Sequence, residues 1–179
     1  MADKKISALT SASTPLAGTE VLPIVQSGAT VKVAAASLTS GSWQQAFSAY
    51  LGTSQATTIN AFTKILIDTE EFDIGNCFTT GTSIFQPTVA GYYQVTGEIT
   101  VFTGAGVLYP AIFKNGVAAK GGNTTTVNAT NSSANVTALI YLNGTTDYLE
   151  FYVYQTAAIG LLAGAGASVT YFQAVYVRG

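Results

Sequence analysis

Ten residues constrain this chain more than any other stretch. From Tyr92 to Val101 nearly every residue favours a β-strand, and the apolar and polar types alternate. Tyr93, Val95, Ile99 and Val101 fall on one side, with Gly97 as a gap among them; Tyr92, Gln94, Thr96, Glu98 and Thr100 fall on the other. One apolar face and one mostly polar face describe one layer of a two-layer β fold. Phe85, Pro87 and Gly91 punctuate the turn that leads in, where glycine permits a tight turn or a close backbone approach.

Further strands are predicted at 63–68, 71–78, 92–103, 107–114, 136–142, 147–155 and 168–177. Turn signals separate them, with Asn115-Gly116 and Asn143-Gly144 the strongest. Seven or eight strands at this spacing make the chain all-β, a sandwich or jelly roll. The expected division is an extended arm over 1–40, a short helix and linker over 41–62, and a jelly-roll domain over 63–179.

The arm is rich in Ala, Ser and Thr, with isolated apolar anchors. Glu20–Gln26 reads as a short strand, Ser27-Gly28 as its turn and Thr30–Val33 as its hairpin partner; Pro23 confines the first strand to an edge. So short an arm buries too little to stand alone and is expected to be held by a partner. In SWQQAFSAYLG (42–52), Trp43, Ala46, Phe47, Tyr50 and Leu51 fit helical spacing, Ser42 is placed to cap and Gly52 to terminate. That helix either docks on its own domain or forms a three-fold neck. Residues 53–62 read as a linker.

The chain has 179 residues and a net charge of −2, with 9% charged residues. No basic footprint points to nucleic acid. So few charges are expected where surface is buried against copies of the chain or other subunits. No histidine is present, which removes the commonest general base and neutral metal ligand. The single cysteine, Cys77, excludes an intrachain disulfide and a cysteine-rich zinc site, and reads as a small buried hydrophobe. The opening MADKKISALT lacks the apolar core of a secretory signal, and no apolar run reaches the roughly 18 residues of a membrane helix. No cofactor, no metal and no membrane insertion are expected.

Four carboxylates, Asp68, Glu70, Glu71 and Asp73, lie within six residues. A hard-cation site is one reading. Strand periodicity divides them between two faces, however, and a solvated edge that resists aggregation is the better one. Five Asn-x-Ser/Thr triplets begin at Asn123, Asn128, Asn131, Asn135 and Asn143. They read as a polar exposed loop or strand pair, and such a surface also suits a sugar- or receptor-binding tip. The glycine groups at 104–106 and 160–166 lack the Lys-Ser/Thr of a nucleotide loop and read as turns. Without histidine, a glycosidase-type carboxylate pair is the simplest chemistry left, with Glu98 or Glu150 paired to another acid, but no cleft is indicated, and the chain is expected not to be an enzyme.

Two stretches carry family resemblances. Lys5-Ile6-Ser7-x-Leu9, Leu16-x-Gly18-Thr19-Glu20-x-Leu22-Pro23-Ile24-Val25-Gln26, Gly28, Thr30-Val31-Lys32-Val33 and Ser37-Leu38 resemble the N-terminal segment of many tailed-phage tail fibres and head or neck fibres. That resemblance implies docking on the particle, here through Ile6, Leu9, Leu16, Leu22, Ile24 and Val25. Phe85-x-Pro87-x-x-x-Gly91-Tyr92-Tyr93, Phe113-Lys114-Asn115-Gly116, Tyr141-Leu142-Asn143-Gly144 with Asp147–Phe151, and Phe172-Gln173-Ala174 are similar, in this order, to motifs of the tumour necrosis factor and complement globular-head superfamily. Thr145-Thr146 lengthen the family's Gly-Asp turn, and no Gly-X-Y stalk is present. This resemblance implies a ten-stranded jelly roll that forms trimers. The Tyr148, Tyr152, Tyr154 face then reads as the trimer interface, or as a simply exposed row.

Together these imply a homotrimeric phage appendage: a virion protein made in the bacterial cytoplasm, anchored by its arm to capsid, neck or tail proteins. Its knob would project outward and adhere to a host-surface glycan or receptor. A capsid decoration or cement protein, and a free lectin-like module, are the alternatives.

Overall fold

The computed structural model describes residues 21–34, 45–102, 105–128, 131–156 and 167–179. The chain divides into two compact units, Met1–Gly41 and Ser42–Gly179.

In the first unit, β1 (Val21–Gln26) and β2 (Ala29–Ala34) pair as an antiparallel hairpin, as the sequence predicts. Ser27 and Gly28 turn it with φ of 51° and 80°, the left-handed pair that a two-residue hairpin loop requires. The register sets Leu22 opposite Val33 and Ile24 opposite Val31, so these four aliphatic residues share one face of the hairpin.

The second unit is a sandwich of two sheets. One runs in the order β12-β8-β14-β3-β5: Ser132–Leu142, Gly91–Val101, Tyr171–Arg178, Ala46–Tyr50 and Thr69–Ile74. The other is built on β10-β9-β13-β7-β6: Val117–Gly121, Ala105–Lys114, Leu149–Gln155, Ile84–Phe85 and Phe78–Thr79. Here β11 (Thr125–Asn128) also pairs with β9, and β4 (Phe62–Lys64) with β13. The fold is thus the all-β jelly-roll sandwich expected.

The alternation read in Tyr92–Val101 holds residue by residue. Tyr93, Val95, Ile99 and Val101 are fully buried, while Tyr92 and Gln94 face out. Phe151 and Val153 of β13, Leu108 and Ile112 of β9 and Phe172 of β14 complete the layer between the sheets. Phe47 stacks on Phe78 at 4.4 Å and meets Phe172 edge-on at 5.1 Å, so three strands share one aromatic knot. Gly91 serves close approach, as its position suggests: a Cβ there would stand 2.6 Å from the Arg178 carbonyl oxygen.

One expectation fails. Ala46–Tyr50 is a strand, not a helix, and the described residues contain no helix. Phe47, Ala49 and Leu51 satisfy a period of two as well as Ala46, Phe47, Tyr50 and Leu51 satisfy 3.6, and all three of the former are buried. A lone ten-residue helix is marginal in water. The strand instead gains ladders on both sides, from β14 and β5. Trp43 lies outside the described residues. The domain therefore starts before residue 63. The 53–62 segment is tied in too: Asn60 N–H donates to the Gln155 carbonyl at 2.7 Å, and Gln155 Nε2 to the Thr57 carbonyl at 3.0 Å.

Candidate functional site

Of the arm residues expected to dock, Ile6, Leu9 and Leu16 lie outside the described residues. Leu22, Ile24 and Val25 lie on β1, all exposed, with Leu22 and Ile24 on the aliphatic face shared with Val31. A two-stranded hairpin with an uncovered aliphatic face is a surface that seeks a partner.

The knob carries a second such surface, which the sequence reading did not single out. Cross-strand register sets Ile74, Ala46, Val175, Gln94 and Leu139 in one row across the outward face of the five-stranded sheet. Ile74 is 49% exposed, Val175 48% and Leu139 54%. Tyr92 and Tyr141 sit opposite one another at one end, ring centroids 5.5 Å apart. Phe72 extends the face on β5. Neighbouring rows are mostly polar: Thr96 bonds Thr137 at 3.1 Å. The carboxylate of Glu98 accepts from Tyr171 Oη at 2.9 Å, which with burial pushes the Tyr171 phenol up. Two hollows of about 240 and 250 Å³ indent the face, one beside Phe72 and Val175, the other beside Tyr92 and Leu139. An antiparallel sheet with one solvated side should show polar residues there. The signal was present: 138–142 (ALIYL) and 174–177 (AVYV) are apolar on both faces, as in strands covered on both sides.

The three tyrosines expected at the interface belong to the opposite sheet, Tyr148 just before β13 and Tyr152 and Tyr154 on it. Tyr148 is half-buried beside the Asn115-Gly116 turn, its N–H donating to Asn115 Oδ1 at 3.0 Å. Tyr152 stacks on Phe113 at 4.0 Å, and Tyr154 packs against Phe62 at 5.5 Å. Their rings are half-buried within their own chain. Lys64 and Glu150 form an ion pair at 2.6 Å among them.

The acidic cluster is distributed over local duties. Asp73 accepts from the N–H groups of Cys77 and Phe78 at 3.0 and 2.9 Å, Glu71 accepts from Ser48 Oγ at 2.6 Å, and Asp68 accepts from the Gly52 N–H. β5, which holds most of the cluster, is the last strand of its sheet, the place where charge protects an edge. Burial, then the Asp73 carboxylate 3.0 Å away, hold the Cys77 thiol far above its ordinary range.

Glu98 and Glu150 face outward from different sheets, and neither pairs with the other. The Asn/Thr-rich stretch runs through two strands. It divides between β11 and β12, which belong to different sheets, and Asn123 ties them: its Oδ1 accepts from Asn135 N–H at 2.8 Å. Asn143 is spent on structure, its Oδ1 accepting from the N–H groups of Thr145, Thr146 and Asp147. Asp147 in turn accepts from Asn115 Nδ2 at 2.8 Å and pairs with Lys114 at 2.8 Å, joining the two turns. These bonds, led by Lys114, hold its carboxyl below the usual value.

No protein-family model matches the chain, and no curated protein matches it significantly. Solved structures do resemble it. Murine APRIL crystallised at pH 5.0 superposes with a TM-score of 0.60 at 9% identity, covering 75% of this chain and 99% of that one. The same protein at pH 8.0 gives 0.58 at 10%, with the same coverage. The globular domain of zebrafish complement 1qA gives 0.52 at 18%, covering 76% of this chain and 99% of its own. At such identities the likeness concerns the fold: Ser42–Gly179 has the jelly-roll sandwich of the tumour necrosis factor and complement globular heads.

Proposed function

We propose that the chain is a non-enzymatic structural and binding protein, a homotrimeric appendage of a tailed-phage particle. The knob associates with two further copies through the outward face of the five-stranded sheet. The arm docks the trimer on capsid, neck or tail proteins, and the knob projects toward the host surface.

The observation that carries this reading is the row Ile74, Val175, Leu139 with Tyr92 and Tyr141: large apolar side chains, half-exposed, on one sheet face. Left in water, such a contiguous patch is a liability; buried between copies, it becomes the driving force of assembly. The fold likeness and the motif order favour three copies. This reading moves the interface off the tyrosine row, because Tyr152 and Tyr154 already pack within their own chain. The aliphatic hairpin face and the arm motifs support the docking role.

Deleting residues 1–40 tests the docking half. Particles assembled with the truncated chain should lack it, while the knob still self-associates. Normal incorporation of the truncated chain would refute docking by the arm.

A further inference from the structure

The outward face of the seven-stranded sheet holds a feature that assembly does not use. Phe62 stands on β4 with its ring 5.5 Å from Tyr154, 5.2 Å from Phe113 and 6.1 Å from Tyr109. Tyr152, Phe113 and Tyr154 brace it from behind and from the side, yet Phe62 remains 40% exposed. Phe62 and Tyr109 wall a hollow of about 210 Å³, lined further by Ala111, Ala118, Lys120 and Gly121. Gly121 lies against the Tyr109 phenol, and a Cβ there would displace that ring. The rim is β10. It ends the sheet, all five of its residues are exposed, and its register slips between Ala118 and Lys120. Such bulges twist an edge and turn its polar groups outward.

These parts have a chemical sense together. Braced aromatic rings offer an electron-rich apolar wall. Around it stand one phenol hydroxyl, one ammonium and the free edge of a strand, donors and acceptors in many directions. A pyranose ring is the ligand that wants both: a face of C–H bonds and a girdle of hydroxyls. The hollow suits one or two such rings and is too small for a folded partner. A single lysine is too little charge for a phosphate cluster. A further copy of the chain would meet the Lys64–Glu150 pair on this face, where the five-stranded face offers it the half-exposed Ile74, Val175 and Leu139.

We propose that the hollow between Phe62, Tyr109 and β10 is a saccharide-binding site that stacks one neutral hexopyranose against the aromatic wall. The proposal gives the outward-projecting knob its ligand class, and for its biological use it rests on that reading.

The test is a titration of the isolated full-length protein, followed by amide and aromatic NMR signals, with three probes: methyl α-D-glucopyranoside, methyl β-D-galactopyranoside and N-acetyl-D-glucosamine. Saturable shifts at Phe62, Tyr109 and Ala118–Gly121 with at least one probe are expected at millimolar concentrations. Phe62→Ala removes the wall and should abolish them. Ala118→Trp changes an exposed edge position, fills the hollow while keeping Phe62, and should abolish them too, with the remaining spectrum unmoved. No saturable shift with any of the three, or unchanged shifts in Ala118→Trp, would overturn the proposal. The titration does not involve the arm, so its failure leaves particle docking untouched, and a failure of docking leaves the titration unchanged.

Discussion

Gly97 of β8 lies against the ring of Phe151 of β13: a Cβ at position 97 would stand 2.5 Å from two of the ring carbons. The gap in the apolar alternation of one sheet is the seat of an aromatic ring from the other. Phe151 is fully buried and also lies 5.9 Å from Phe172, so the ring has little room to retreat.

Gly97→Ala should therefore destabilise the knob. Removing a strand glycine gains about 0.5–1 kcal/mol of chain entropy, but overpacking a closed core costs about 1–3 kcal/mol. The net loss should be measurable by urea unfolding. Combining Gly97→Ala with Phe151→Leu should cost less than the sum of the single changes, because the smaller side chain vacates the space the methyl needs.

Asp147 gives the fold an acid limb. Its carboxyl is held below the ordinary 3.8, chiefly by Lys114 and then by Asn115. A lowered native value means the stabilisation is complete above the unfolded value and is lost as pH falls through the native one. Wild-type stability should drop below about pH 4. Asp147→Asn should be less stable at neutral pH by roughly 1–2 kcal/mol, and flatter in acid. Unfolding midpoints from pH 2 to 7 read both effects.

The Cys77 thiol should be inert in the native protein. Burial and the adjacent Asp73 carboxylate both disfavour the thiolate, which is the reactive species. Labelling by 5,5′-dithiobis(2-nitrobenzoic acid) at pH 8 should proceed only after denaturation. Prompt labelling of the folded protein would contradict the described environment.

The assignment of the self-association face makes a comparative prediction. Val175→Glu places a charge in the middle of the row and Leu139→Glu one at its end; either should shift the protein toward monomer with little effect on the knob's own stability, since both positions are exposed in one chain. Tyr148→Ala, at the turn of the other sheet, should leave the oligomer intact. Size-exclusion chromatography with light scattering separates these outcomes.

The parts of the fold legible in the sequence were those where one period prevailed. Tyr92–Val101 alternates cleanly and became the central strand, and Asn115-Gly116 became a two-residue hairpin loop with φ of 54° and 76°. Asn143-Gly144 was less legible, because the chain there crosses from one sheet to the other and Asn143 caps a longer loop. Ala46–Tyr50 satisfied two periods at once, and only its partners on β14 and β5 decide between them. The outward row of the five-stranded sheet was hidden for a related reason. Tyrosine content drew attention to 148–154, whereas the row from Ile74 to Leu139 gathers one residue from each of five strands and exists only once the register is known. The hollow beside Phe62 is likewise a product of register, assembled from β4, β9 and β10.

The central claim is self-association, and the mass of the 179-residue chain in solution tests it most directly. At micromolar concentration, light scattering should give three times the 18.5 kDa of one chain, falling toward the single-chain value for Val175→Glu. A wild-type mass of one chain, or a trimer unaltered by charge at both Leu139 and Val175, would contradict the account.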